Sequence, residues 1–108
     1  VSTLQESLVV MDVDLKVVTA NQFFYEAFQV EAEEIENCLI YEIVDGQWNI
    51  SQLRSLLEES IPQQGHFQDV EIEHDFEQIG QKIMRLNGQK ITQIGDTLLI
   101  ILVIEDIT

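Results

Sequence analysis

Basic residues are scarce in this chain. Only 5 of its 108 residues are Lys or Arg, against 20 Asp or Glu, which gives a formal net charge of −15. A surface of that sign repels phosphate backbones and anionic headgroups, so neither nucleic-acid binding nor membrane-surface binding is expected. The charge serves solubility, or the acidic stretch 31–36 receives a basic partner. Cysteine occurs once, at Cys38, which excludes an internal disulfide and fits a reducing, cytoplasmic setting. No apolar run approaches the ~20 residues that a membrane helix requires, so no membrane insertion of this fragment is expected. Secretory signal and low-complexity tract are both missing, and the chain begins at Val1 rather than Met, which suggests a piece excised from a larger protein.

Catalytic apparatus is missing too. There is no nucleophile elbow, no Gly-rich phosphate loop and no pair of metal ligands on one helix. Acidic neighbours such as Glu33-Glu34 and Glu58-Glu59 read as solvated helix surface. Neither histidine has a phosphoacceptor setting. This domain is therefore not expected to be an enzyme.

What remains is an apolar fraction of 45% spread over a length that suits one domain, residues 1–108, with an adequate core. Leu8-Val9-Val10-Met11 and Val17-Val18-Thr19-Ala20 read as short strands, joined by a turn in which Asp12 and Asp14 fold back onto the backbone. Asn21 then offers an N-cap for a helix over Gln22–Phe28, with Phe24 and Phe28 four apart on one face beside Phe23 and Ala27. Residues 33–36 and 39–43 each suggest about one helical turn, and Asp45-Gly46 a reversal. A longer helix is expected after Asn49, with Gln52 completing a capping box. Ile50, Leu53, Leu56, Leu57 and Ile61 fall at helical spacing along it, and Pro62 with Gly65 closes it.

From Phe67 the period changes to two. Val70 and Ile72 alternate with Asp69, Glu71 and Glu73, the pattern of a half-buried strand with an acidic outer face. A second strand carries Met84 and Leu86 on one side and Arg85 and Asn87 on the other. Pairing Ile72 with Met84 and Val70 with Leu86 places Glu71 opposite Arg85, and a slip of one residue destroys both matches. Gly88 inside that strand indicates a bulge or a close backbone approach. After a Gly95-Asp96 turn, residues 98–104 are apolar without exception, and Ile100, Ile101, Val103 and Ile104 are β-branched. A strand apolar on both faces belongs in mid-sheet, with helices on one side and something apolar on the other. Strands and helices are segregated, so the fold class is α+β with an antiparallel five-stranded sheet, the C-terminal strand central, and short helices plus one longer helix packed on one face.

At this point the chain resembles a PAS domain over essentially its whole length. The residues that carry the resemblance are Leu8-Val9-Val10-Met11-Asp12, Val17-Val18-Thr19-Ala20-Asn21, Phe24-Tyr25-Glu26-Ala27-Phe28, Ala32-Glu33-Glu34-Ile35 and the terminal Glu105-Asp106-Ile107-Thr108. The stretches 45–50 and 70–76 resemble a subgroup found in bacterial two-component sensors. Glu31 departs from the Ser or Thr usual before the second helix, which implies a weaker cap there. The resemblance implies a pocket under the helices and a cytoplasmic sensor or relay module, most directly of a sensor histidine kinase. Its final Asp106 and Thr108 would couple the sheet to a downstream effector in the same chain. Alternatives are a ligand-free dimerisation module, or the regulatory domain of a diguanylate cyclase or chemotaxis-type methyltransferase.

Cofactors are disfavoured. Asn37-Cys38 is similar to the Asn-Cys pair of flavin-adduct LOV domains, but only Glu36 separates it from Ile35, so Cys38 arrives two residues early, and Leu39 and Ile40 stand where the pair should be. Cys38 reads instead as a small half-buried hydrophobe. Residues 50–61 contain no His, Cys or Met to ligate a haem. His66 falls in an exposed turn. His74 shares the parity of Val70 and Ile72, so it faces the pocket or satisfies a neighbour at the strand end; two such histidines make no zinc site. The pocket candidates are Phe24, Phe28, Leu53, Leu57, Met84, Leu86 and His74, with Trp48 as a lid or a plug. These large side chains suit a filled core as well as a ligand site. The doubly apolar last strand favours a homodimer through the outer sheet face or the N-terminal segment, unless residues before Leu8 form a covering helix.

Overall fold

The computed structural model describes residues 6–92 and 97–108. The chain runs β1 (Glu6–Asp12), β2 (Val17–Ala20), α1 (Gln22–Phe28), α2 (Ala32–Ile35) and α3 (Ser51–Ser55), then a π-helical turn (Leu56–Ser60) and α4 (Ile61–Gln64). Three strands follow: β3 (His66–Phe76), β4 (Gly80–Thr92) and β5 (Leu98–Asp106). They build one antiparallel sheet in the order β2-β1-β5-β4-β3, so the apolar C-terminal strand lies in the middle as its two greasy faces require. The Gly95-Asp96 turn falls outside the described residues.

Local chemistry accounts for the first half. Asp12 folds back as expected, its Oδ1 accepting the amides of Asp14 at 2.9 Å and Lys16 at 3.0 Å. Asn21 caps α1 by accepting the Phe24 N–H at 3.0 Å, and the same side chain pins β1 through the Leu8 N–H and the Glu6 carbonyl. One residue thereby fixes both the helix start and its approach to the sheet. At α2, Glu34 Oε1 accepts the Glu31 N–H at 3.0 Å and supplies one half of a capping box.

Residues 39–43 run as a hydrogen-bonded turn rather than a regular helix, the Glu42 N–H donating to the Leu39 carbonyl at 2.9 Å. Cys38 and Ile40 spend their backbone groups on Val17 and Leu15, and Leu39 bridges to Lys16, so the segment lies along the sheet edge as irregular chain. It reverses through Val44, Asp45 and Gly46 at φ of 54°, 53° and 76°, a left-handed run that is costly for β-branched Val44. The capping box expected at Asn49 does not form either. Its Oδ1 accepts Arg54 Nη1 at 2.9 Å, while Ile50 takes the N-cap position without a side-chain bond. The long helix also runs past Pro62. Proline has no N–H to donate and its ring crowds the carbonyl four residues back. Just upstream the helix widens, with the Ile61 N–H reaching the Leu56 carbonyl, and Gly65 at φ 82° then ends it.

The β3–β4 register is the expected one: Val70 pairs with Leu86, Glu71 with Arg85, and Ile72 with Met84. The shift between Phe67 and Val70, with Asp69 at φ 54°, is a bulge on β3 that the sequence pattern did not place. Gly88 is a close approach: the Phe67 ring occupies the space a Cβ would need. Arg85 faces Glu71 but bonds elsewhere, to Glu105 on β5 at 2.8 Å.

The helix-facing side of the sheet carries Val9, Met11, Ile72, Phe76, Met84, Leu86, Ile100, Leu102 and Ile104, all buried in one cluster with Phe24, Phe28, Trp48, Leu53, Leu57 and Ile61. On the other side Leu8, Val10, Leu99, Ile101 and Val103 are half-buried, and strand pairing sets Leu8 beside Val103 and Val10 beside Ile101 in one apolar strip. A covering helix ahead of Leu8 does not start at residues 6 and 7, which already belong to β1; residues 1–5 lie outside the described residues.

Candidate functional site

Alternation along the strands brings three polar side chains to one end of the helix-facing surface. Ser7 shares its parity with Val9 and Met11, Lys82 with Met84 and Leu86, and Asp106 with Leu102 and Ile104. They border a cleft of about 220 Å³ under α1, with Phe23, Ala27, Phe28, Ile79, Met84 and Ile104 as its apolar walls. Ser7 is only 2% exposed and is the buried polar residue of the core face.

Beside this cleft the chain leaves the sheet through a set of hydrogen bonds. Asp106 Oδ1 accepts the Thr108 hydroxyl at 2.6 Å and the Thr108 N–H at 3.0 Å. The Thr108 Oγ1 in turn accepts the Ile83 N–H at 3.0 Å, and the Ile107 N–H donates to the Ile83 carbonyl at 2.9 Å. Lys82 Nζ reaches Asp106 Oδ2 at 3.2 Å. Burial works against the charge of Asp106, but the Thr108 donors and the Lys82 ammonium outweigh it and hold the carboxyl below its ordinary value. The two residues singled out for coupling are thus bonded to each other and, through β4, to the sheet.

The pocket candidates divide. Phe28 and Met84 line the cleft, and Leu57 lines a second one of about 300 Å³ with Val13, Pro62 and Leu98. Phe24, Leu53 and Leu86 lie at 0% exposure within the packed core. His74 is half-buried, its ring 4.7 Å from that of Phe76 and edge-on to it, and it stands opposite Lys82 in the strand register. Trp48 fills the centre, with ring centroids 5.1 Å from Phe28, 5.5 Å from Phe76 and 6.3 Å from Phe24. It is fully buried, and its Nε1–H has no hydrogen-bond partner among the described residues. It plugs the space between helices and sheet rather than hinging over it.

Sequence reasoning passed over Ser7 and Lys82, although each shares its parity with buried apolar residues, Val9 and Met11 or Met84 and Leu86, which was the available signal. It also passed over Tyr41. That hydroxyl donates to Glu58 Oε2 at 2.8 Å under an Arg54 guanidinium 4.3 Å from the ring, and Arg54 pairs with Glu58 at 3.4 Å. Burial, then the bond to Glu58 and its charge, push the phenol well above its ordinary range. Cys38 is half-buried, with its Sγ 3.6 Å from the Glu34 carbonyl, and His66 opens β3 on the surface. Among the described residues no three His, Cys, Asp or Glu side chains converge as a metal site would need.

No protein-family model matches the sequence, and no curated protein does. Solved structures share the fold. VqmA bound to DPO superposes with a TM-score of 0.73 at 16% identity over 94% of this chain; the chain spans about half of that protein, 51%. The PAS domain of a Colwellia psychrerythraea protein gives 0.74 at 15% identity, covering 96% of this chain and 87% of that one. A sensory box sensor histidine kinase from Vibrio cholerae gives 0.73 at 16% identity, covering 95% and 82%.

Proposed function

Because this chain has the PAS fold, we propose that it is a sensory or signal-relay module of a cytoplasmic sensor histidine kinase, passing its signal through Asp106 and Thr108 to an effector that follows in the same polypeptide. The observation that carries this reading is the hydrogen-bonded exit of the central strand: Asp106 at the end of β5 holds the Thr108 hydroxyl, whose oxygen accepts the Ile83 N–H of β4. A change in the sheet or the cleft therefore reaches the departing chain through few bonds. The similarity to a DPO-bound protein and to a sensor kinase supports a ligand-responsive role. The domain itself carries no catalytic constellation among its described residues, and neither haem nor flavin belongs to the proposal. No described helix is long and apolar enough to cross a membrane.

A different parent, a diguanylate cyclase or a chemotaxis-type methyltransferase, would use the same exit with another effector. The second reading is a homodimerising module that senses nothing, favoured by the outer strip of Leu8, Val10, Ile101 and Val103. The experiment is Asp106→Ala in the full-length parent. Altered output with an unchanged circular dichroism spectrum supports relay, and unchanged output removes it. Sedimentation of this chain across a concentration series separates the dimer reading, which a monomer at high concentration rules out.

A further inference from the structure

We propose that the 220 Å³ cleft beside the strand exit binds a compact apolar molecule through a carbonyl-type oxygen, with Lys82 and Ser7 as its donors, and that this oxygen competes with Asp106 for Lys82. The polar groups at the cleft differ in the hydrogen-bonding capacity they have left. Asp106 Oδ1 already accepts two bonds from Thr108, and Oδ2 accepts Lys82. Lys82 presents three ammonium protons and gives one of them to Asp106. Ser7, 2% exposed, brings a hydroxyl into a wall otherwise made of Phe28, Met84 and Ile104. The polar end of the cleft therefore offers free donors, two Lys82 protons and the Ser7 hydroxyl, beside a carboxylate that already accepts three bonds, which favours an acceptor head. A cationic head would meet the Lys82 ammonium instead. The apolar walls select the body, and the volume lies below the ~300 Å³ at which drug-sized pockets begin, so that body is small. With a chain charge of −15, one acceptor oxygen suits the site better than several anionic groups.

Competition for Lys82 gives the binding a consequence. Releasing Asp106 from Lys82 changes the charge balance on the carboxylate that holds Thr108, and hence the bond from Ile83 to the Thr108 hydroxyl. Only this consequence rests on the sensory reading; the binding does not.

The test is an NMR titration of the chain with hexanoate, 2-hexanone and hexylamine, followed at the Met84 methyl and at the amides of Ser7, Ile83 and Thr108. Hexanoate or 2-hexanone should saturate the cleft signals, with hexylamine roughly tenfold weaker or worse. Saturation by hexanoate alone assigns the site to carboxylates, and saturation by both assigns it to carbonyl oxygens in general. Lys82→Met, which keeps most of the aliphatic stem, should weaken binding by about tenfold while the chain keeps its circular dichroism spectrum. Equal binding of hexylamine, equal binding by Lys82→Met, or no saturable shift with any probe overturns the site. Saturation of the cleft with the Ile83 and Thr108 amides unmoved overturns the competition. The sensory reading fails separately, if Asp106→Ala leaves the parent's output unchanged although the cleft binds.

Discussion

Arg85 stands opposite Glu71 across the β3–β4 pair, yet its guanidinium holds Glu105 of β5 at 2.8 Å. Both carboxylates flank it on the outer face, one on each neighbouring strand. The choice of Glu105 adds an outer tie to the inner ones made by Lys82, Thr108 and Ile83. The last residues of the central strand are fastened to β4 on both faces of the sheet.

A double-mutant cycle should therefore find coupling between Arg85 and Glu105 and almost none between Arg85 and Glu71. Both members of the bonded pair are more than a third exposed, so the coupling should be small, about 0.2–1 kcal/mol, and should shrink in high salt. Urea unfolding of the single and double alanine variants measures it; a larger coupling to Glu71 contradicts the arrangement.

Gly88→Ala should destabilise the domain by about 1–3 kcal/mol, because a new methyl overlaps the Phe67 ring and forces it to shift. The loss should be largely recovered in a Phe67→Leu background. An alanine variant as stable as the parent chain would mean that the ring does not lie there.

The register of β3 on β4 and the central place of β5 could be read from the sequence because period-two alternation and a doubly apolar run each admit one arrangement. The bulge at Asp69 could not, since the inward step from Phe67 to Val70 breaks the very alternation that reveals a strand. Asn49 was misread for another reason: its local propensity favoured a cap, and a tertiary partner, Arg54, took the oxygen that the cap needed. Asp106 and Thr108 were legible only through family resemblance. Ser7 and Lys82 were legible as polar residues on inward parity, but what they border depends on where α1 packs, which no local pattern states.

Trp48 is the only tryptophan, so its fluorescence reports on the aromatic cluster directly. Emission should be blue-shifted and resistant to acrylamide. Trp48→Ala should cost about 3–5 kcal/mol. Trp48→Phe should cost clearly less, because it also removes a buried N–H that lacks a partner, a group worth about 1–3 kcal/mol of penalty. Emission resembling free tryptophan would contradict the plug.

Asp106 predicts a pH dependence. Burial opposes its charge, but Thr108 and Lys82 overcome this, so its folded-state value lies below the unfolded one. The stabilisation is complete above about pH 4, the unfolded aspartate range, and disappears as pH falls through the lower folded-state value. Asp106→Asn should flatten that part of the stability profile measured by thermal unfolding. An unaltered acid limb would show that the carboxylate contributes nothing there.

The tie between the strand exit and β4 is tested most directly by amide hydrogen exchange at Ile83 and Ile107, compared between the chain and its Asp106→Ala variant. Both amides should be protected in the parent chain. In the variant, exchange at these two should accelerate while Leu102 in mid-strand keeps its protection. Fast exchange at Ile83 and Ile107 in the parent chain, or identical rates in the two proteins, would contradict it.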